Sequence, residues 1–226
     1  MRIKSLLIGD IRFQFKYGFY FLYFILSILY ISVLFALPTP WREKVAILMI
    51  FSDPAALGLF FMGAIILFEK SENILNSIAV SPVNSLEYVI SKLCSIAIIS
   101  TLVGLSIGLS SGSSLSMYHL IIGVFFGSCF FSSIGLIIAA KVSTLNHFIV
   151  TTIFVAVLIS LPALAYLFGF RHSWLFLHPG VSMIQLLWGH NTFLSMIILI
   201  IWTLLFTIIS CRVVSNMFQC VGGMKL

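Results

Sequence analysis

The chain has 226 residues, of which 61% are apolar and 8% charged, with a formal net charge of +6 and a mean hydropathy of +1.20. Soluble domains run near half apolar and a quarter charged, and a core of this length could not enclose 22 Phe beside so much Ile and Leu. The composition predicts a polytopic membrane protein and excludes disordered and collagen-like chains. The 12 Lys and Arg lie between apolar blocks rather than on one basic face, which argues against a nucleic-acid partner.

Residues 1–17 form a separate element. Ile3, Leu6, Leu7, Ile11 and Phe15 recur at helical spacing, while Arg2, Lys4, Asp10, Arg12, Gln14 and Lys16 fill much of the rest. This pattern predicts an amphipathic helix lying in the inner membrane interface. Residues 18–226 form one transmembrane domain. A bilayer core needs about 20 mostly apolar residues per helix. Six stretches qualify: Gly18–Leu37, one within Val45–Phe68, Leu93–Ser111, Tyr118–Ala140, Phe148–Gly169 and Phe193–Cys211.

The expected fold is therefore all-α, with six transmembrane helices. With both termini cytoplasmic, the inner side carries Arg2, Lys4, Arg12, Lys16, Lys70, Lys92, Lys141, Arg212 and Lys225. The outer side carries only Arg42, Lys44 and Arg171, so the basic-residue bias sets this orientation. The first apolar block is too long, and begins too late, for a cleaved signal peptide. Cys94, Cys129, Cys211 and Cys220 fall in or beside apolar blocks without ligand spacing and read as small hydrophobes.

Asp53 is the sole acid inside an apolar block. Intramembrane acids are functional candidates by default, but Ser52-Asp53-Pro54 also reads as a helix start, with Asp as cap and Pro at the first helical position. Gly108-Leu109-Ser110-Ser111-Gly112 matches a hydrolase nucleophile elbow formally, yet it ends an apolar helix and lacks the strand context. Gly104 and Gly108 instead suggest close helix packing. Pro162 predicts a kink in the fifth span, where a bend would open and shut a pathway.

Between spans five and six, segment 170–192 carries Trp174, Phe176, His178-Pro179-Gly180 and Trp188. It reads as two short apolar helices that re-enter the outer leaflet and roof a cavity. His172, His178 and His190 are spaced by six and twelve, which matches no tight metal-ligand set. There is no P-loop, so ATP is not bound through one here.

Segment 69–92 is too patterned for a turn. Charge comes first, at Glu69, Lys70 and Glu72; Ile74, Leu75, Ile78 and Ala79 then make one apolar helical face. Pro82 ends that helix, and Ser85, Leu86 and Glu87 restart another. A short amphipathic helix held under the membrane reads as a docking knob for a cytoplasmic protein.

Here the sequence resembles permease subunits of ABC transporters of the type-2 exporter class. The matching residues are Glu69, Lys70, Leu75, Ile78, Val80, Ser81, Pro82, Val83, Glu87, Tyr88 and Lys92. The stretch from Phe51-Ser52-Asp53-Pro54 to Phe68-Glu69-Lys70 resembles, more weakly, the drug or fluoroquinolone export subgroup. The resemblance implies a coupling helix seated in an ATPase subunit, a pair of such ATPases carrying the ATP and Mg, and a second permease, self or paralogue. It implies no catalytic, metal or cofactor-binding residue in this chain, which is then a transport subunit and not an enzyme. The expected function is outward movement of a hydrophobic or amphipathic cargo (drug, lipid, small peptide or haem) across the cytoplasmic membrane. The Phe-rich spans and the absence of intramembrane Arg or Lys favour such a cargo. The rival readings are an ion-coupled carrier or channel using Asp53 and, behind it, an intramembrane hydrolase.

Overall fold

The computed structural model describes residues 2–79, 81–112 and 116–221, without the side chains of Pro54, Ala55, Ala56, Ala79, Cys220 and Val221. Val80 and Lys225, and the side chains of Ala79 and Cys220, thus lie outside the described residues. The elements are helical throughout that description. In chain order they are α1 (Arg2–Lys16), α2 (Phe19–Ala36), α3 (Thr39–Ser52), a π-helix (Asp53–Gly58), α4 (Leu59–Ser71), α5 (Ile74–Ala79), α6 (Ser85–Ser110), α7 (Met117–Lys141), α8 (Leu145–Leu167), a 3-10 turn (Ser173–Leu177), α9 (Pro179–Trp188) and α10 (Thr192–Val221).

Five of these, α2, α6, α7, α8 and α10, are long and apolar enough to cross a bilayer. The second expected span is divided. Thr39 to Ser71 is an unbroken helical run, but its middle turn is π-helical and neither α-helical part reaches spanning length alone. Two further boundaries move. The helix restarted at Ser85 and the span expected from about Leu93 are one helix, α6, whose start Asn84 and Glu87 fix with a reciprocal capping box, the Asn84 N–H donating to Glu87 Oε2 at 3.1 Å. α10 runs to Val221 rather than Cys211; its 30 residues span about 45 Å, well beyond a ~30 Å bilayer core.

The bundle is built around α7, which packs on α4, α6, α9 and α10. Its sequence explains this. Gly123, Gly127 and Gly135 alternate with buried Ser128, Ser132 and Ser133, and small residues let backbones approach. A Cβ at Gly135 would overlap the Leu59 backbone at the start of α4. Nearer the start of α7, a Cβ at Gly104 of α6 would press on Val124 at 3.1 Å. The small residues of α6 thus serve packing, and Ser110 Oγ simply donates back to the Ser106 carbonyl at 2.8 Å. α2, α8 and α10 turn rows of Phe, Ile and Leu outward, as expected of helices whose solvent is lipid.

α1 meets α2 at Gly18, whose φ of 77° is open to glycine and lets the chain turn sharply. The polarity of α1 departs from expectation. Asp10 and Gln14 face inward and are buried, while Ile8 and Phe15 are exposed. At the other end of the bundle α9 is enclosed, every residue from Pro179 to Leu187 being buried. It precedes α10 directly, so α9 and α5, which packs on α10 as well, mark opposite ends of that helix.

Candidate coupling site

Segment 69–92 folds onto the bundle through a chain of polar contacts that also recruits α1. Glu69, at the end of α4, is buried and accepts hydrogen bonds from Tyr88 Oη at 2.5 Å and from Lys92 Nζ. Lys92 is 2% exposed and also donates to Asp10 Oδ1 at 2.6 Å. Its ammonium lies 5.3 Å from the Tyr88 ring centre and 5.9 Å from that of Phe13. Three elements distant in sequence therefore share one buried cation. One further bond, Gln14 Nε2 to Ser95 Oγ at 2.8 Å, ties α1 to α6 beside it. The sequence places Lys92 on the inner side, at the end of segment 69–92; the structure puts it within α6, buried against the two acids.

The neighbouring charges have separate tasks. Lys70 Nζ donates to the carbonyls of Ala139, Ala140 and Val142 at 2.7, 2.9 and 2.9 Å. These are orphan carbonyls at the C-terminus of α7, where a cation also meets the negative end of the helix dipole. Glu72 accepts from Tyr17 Oη at 3.0 Å; that bond, more than desolvation, raises the phenol above its ordinary pKa. Pro82 offers its carbonyl to Arg2 Nη1 at 2.9 Å. Helix α1, with Tyr17 directly after it, thus grips segment 69–92 at its start, middle and end.

The apolar face of α5 points into the protein. Leu75 is 2% exposed and joins a core with Tyr88, Val89, Val214 and Met217, against which Ile78 also packs; Ile74 is half-buried. A knob presenting Leu75 to a partner is not what the fold holds. The outward face of this short helix carries Asn76 and Ser77.

The pathway candidates lie elsewhere. Asp53 is fully buried between α3 and α4, in the right-handed helical region, and neither carboxyl oxygen has a hydrogen-bond partner. It caps nothing, which corrects the expected helix start. The bundle continues the helix through Pro54 as a π-turn, and Ser132 Oγ donates to the Gly58 carbonyl at 3.2 Å. Pro162 sits within an uninterrupted α8. Trp174 is 83% exposed on the 3-10 turn. His178 is the N-cap of α9: its Nδ1 accepts from the Gly180 N–H at 3.2 Å, and burial lowers its pKa, favouring the neutral imidazole that can accept. Beside this region a cavity of about 410 Å³ is lined by Trp41, Lys44, Tyr166, Arg171 and Trp188, among others. No group of three or more His, Cys, Asp or Glu among the described residues could hold a metal ion.

Two contributors were missed by sequence reasoning, Asp10 and Gln14. Asp10 is the sole acid of residues 1–17, placed where every other charge is basic; that isolation was the available signal.

The sequence matches the fluoroquinolones export permease protein family over residues 1–222. It is also similar to the fluoroquinolones export permease proteins of Mycobacterium tuberculosis strains CDC 1551 / Oshkosh and ATCC 25618 / H37Rv. Each is 24% identical over 142 residues, which cover 62% of this chain and 60% of the relative. The matched stretch therefore spans less than two thirds of those relatives.

Proposed function

We propose that this chain, which belongs to the fluoroquinolones export permease protein family, is the membrane subunit of an ATP-driven ABC exporter. A pair of separate ATPase subunits binds ATP and Mg, and segment 69–92 is where one of them docks. A second permease, identical or related, completes the pathway. The Thr39–Ser71 run acts as the second of six spans, its π-turn at membrane depth, and α9 with the preceding 3-10 turn re-enters from the outside. Both termini lie in the cytoplasm of a multi-pass inner membrane protein. The cargo is apolar or amphipathic, in keeping with apolar outward faces and with relatives named for fluoroquinolone export.

One observation carries this reading: the buried Asp10–Lys92–Glu69–Tyr88 network ties α1, α4 and α6 together, and Leu75 of α5 is buried in the same cluster as Tyr88. A push on α5 reaches three helices at once instead of being absorbed by a loose loop. Network, seat and Pro turn together make a lever, and transport by alternating states needs one.

The test is purification from native membranes in mild detergent with mass spectrometry of what accompanies the chain. A P-loop ATPase is expected in the wild type. Ser77→Trp, on the outward face of α5, should remove at least nine tenths of it while thermal stability stays unchanged, since exposed substitutions typically shift stability by no more than ~0.5 kcal/mol. Absence of any ATPase, under conditions that preserve other ABC complexes, would contradict the proposal. An ion-coupled carrier built on Asp53 would then be the better account.

A further inference from the structure

Near the middle of the Thr39–Ser71 run the bundle holds three buried polar atoms without partners in one neighbourhood: both carboxyl oxygens of Asp53 and the phenol oxygen of Tyr23. The phenols of Tyr23 and Tyr30 are near enough to act on the carboxyl electrostatically, and the Ser100 hydroxyl is the one polar group turned toward it, though neither carboxyl oxygen has a partner at full hydrogen-bonding distance. The ion pairs among the described residues are both made by Lys92, so Asp53 has no internal counter-ion. An isolated acid in this setting is costly and is retained where it meets something that comes and goes.

Tyr23 is also a wall of a second feature. A groove of about 280 Å³ runs between α2 and α6, lined by Tyr20, Phe24, Ile28, Ile99 and Leu102, with Ser27 and Ser106 as its polar points. Phe24, Ile28 and Leu102 are exposed there, on a surface that faces lipid. Tyr23 thus belongs both to the wall of the groove and to the surroundings of Asp53.

We propose that Asp53 is the counter-ion for a lipophilic organic cation that enters from the bilayer through the groove between α2 and α6, with Tyr23 as the aromatic wall it passes. This assigns the cargo site of the permease and rests on that reading. The chemistry favours an organic cation over other ligands. An anion would be repelled, and a neutral lipid would leave the carboxyl unpaired. A bare metal ion would find too few oxygens, since no cluster of three ligating side chains is present among the described residues. An organic cation instead matches an apolar groove, a tyrosine face and one acid, because aromatic faces attract desolvated cations.

Binding can be measured without any ATPase, so this inference and the exporter reading fail separately. The purified chain in nanodiscs is titrated with tetraphenylphosphonium, and with tetraphenylborate as an anion of the same shape, using empty nanodiscs as background. Wild type is expected to bind the phosphonium saturably and the borate not at all. Asp53→Asn should weaken phosphonium binding at least about tenfold while Asp53→Glu retains it. Leu102→Trp, which fills the groove at an exposed position and leaves the acid intact, should weaken it comparably. Unchanged phosphonium binding by Asp53→Asn would overturn the proposal, the carboxyl then holding a proton or water alone. Equal binding of the borate would overturn it too, since the site would be reading shape and not charge.

Discussion

Glu69→Ala is expected to cost about 3–5 kcal/mol of folding stability, the range for removing one partner of a buried ion pair, and to lower the thermal midpoint by on the order of 10 °C. The loss is large because Glu69 answers two groups at once. Without it, Tyr88 loses its acceptor and Lys92 keeps only Asp10 as a counter-charge in a site with almost no solvent. Glu69→Gln should cost less, because the amide oxygen still accepts from Tyr88. Charge and coupling can be separated with a triple variant. Asp10→Leu and Glu69→Leu with Lys92→Met replace the whole buried triad by apolar groups, a change that is often neutral for stability. The triple variant should regain much of the midpoint yet still fail to stimulate a partner ATPase, since the polar link between α4 and α6 is gone. Recovery of both stability and stimulation would mean that the network holds the fold and transmits nothing.

The second large effect belongs to Leu75→Asp. Leu75 is 2% exposed against Tyr88, Val214 and Met217. Losing its burial removes about 1.5–3 kcal/mol, and the new carboxylate has no buried base within its own helix to pair with. Helix α5 should leave its seat, and stability and ATPase capture should fall together. Leu75→Met, nearly equal in volume, should cost under ~1.5 kcal/mol and keep both. This pattern differs from that of Ser77→Trp, where capture is lost and stability kept. Wild-type stability in Leu75→Asp, read by the same thermal midpoint, would mean that the apolar face of α5 is free and is itself the docking surface.

Much of this fold is legible in the apolar runs. α2, α7 and α8 emerge within three residues of where unbroken hydrophobicity places them, because a bilayer enforces a minimum length and forbids unpaired backbone. The π-turn is not legible. Ser52-Asp53-Pro54 carries a local signal for starting a helix, and the bundle overrides it by running the helix through and letting Ser132, 74 residues away, take up the Gly58 carbonyl. The continuity of α6 from Ser85 into the third span was hidden for a related reason. Lys92 looks like a charge that must sit outside the membrane core, and its two acids are 82 and 23 residues distant, so nothing local indicates that it is neutralised. Periodicity identified α5 as a helix with one apolar face. Periodicity cannot say what covers that face, and here the end of α10, ten residues longer than its hydrophobicity suggested, does so.

The same comparison explains why the site was only half visible. Glu69, Lys70, Tyr88 and Lys92 sit in one patterned segment and could be read together. Asp10 and Gln14 belong to, and Tyr17 directly follows, a helix whose amphipathic pattern pointed to the membrane surface, and their contacts to Lys92, Ser95 and Glu72 appear only in three dimensions.

The claim that segment 69–92 meets an ATPase is tested most directly by cross-linking in intact membranes. A photoreactive group is introduced at Ser77, on the outward face of α5, and a second one at Trp174, on the exposed 3-10 turn at the opposite end of the bundle. Illumination should join position 77 to a P-loop ATPase, with the yield changing when ATP is added, and should leave position 174 unlinked to it. An ATPase captured equally at both positions, or at neither while the chain remains active in export, would contradict the account.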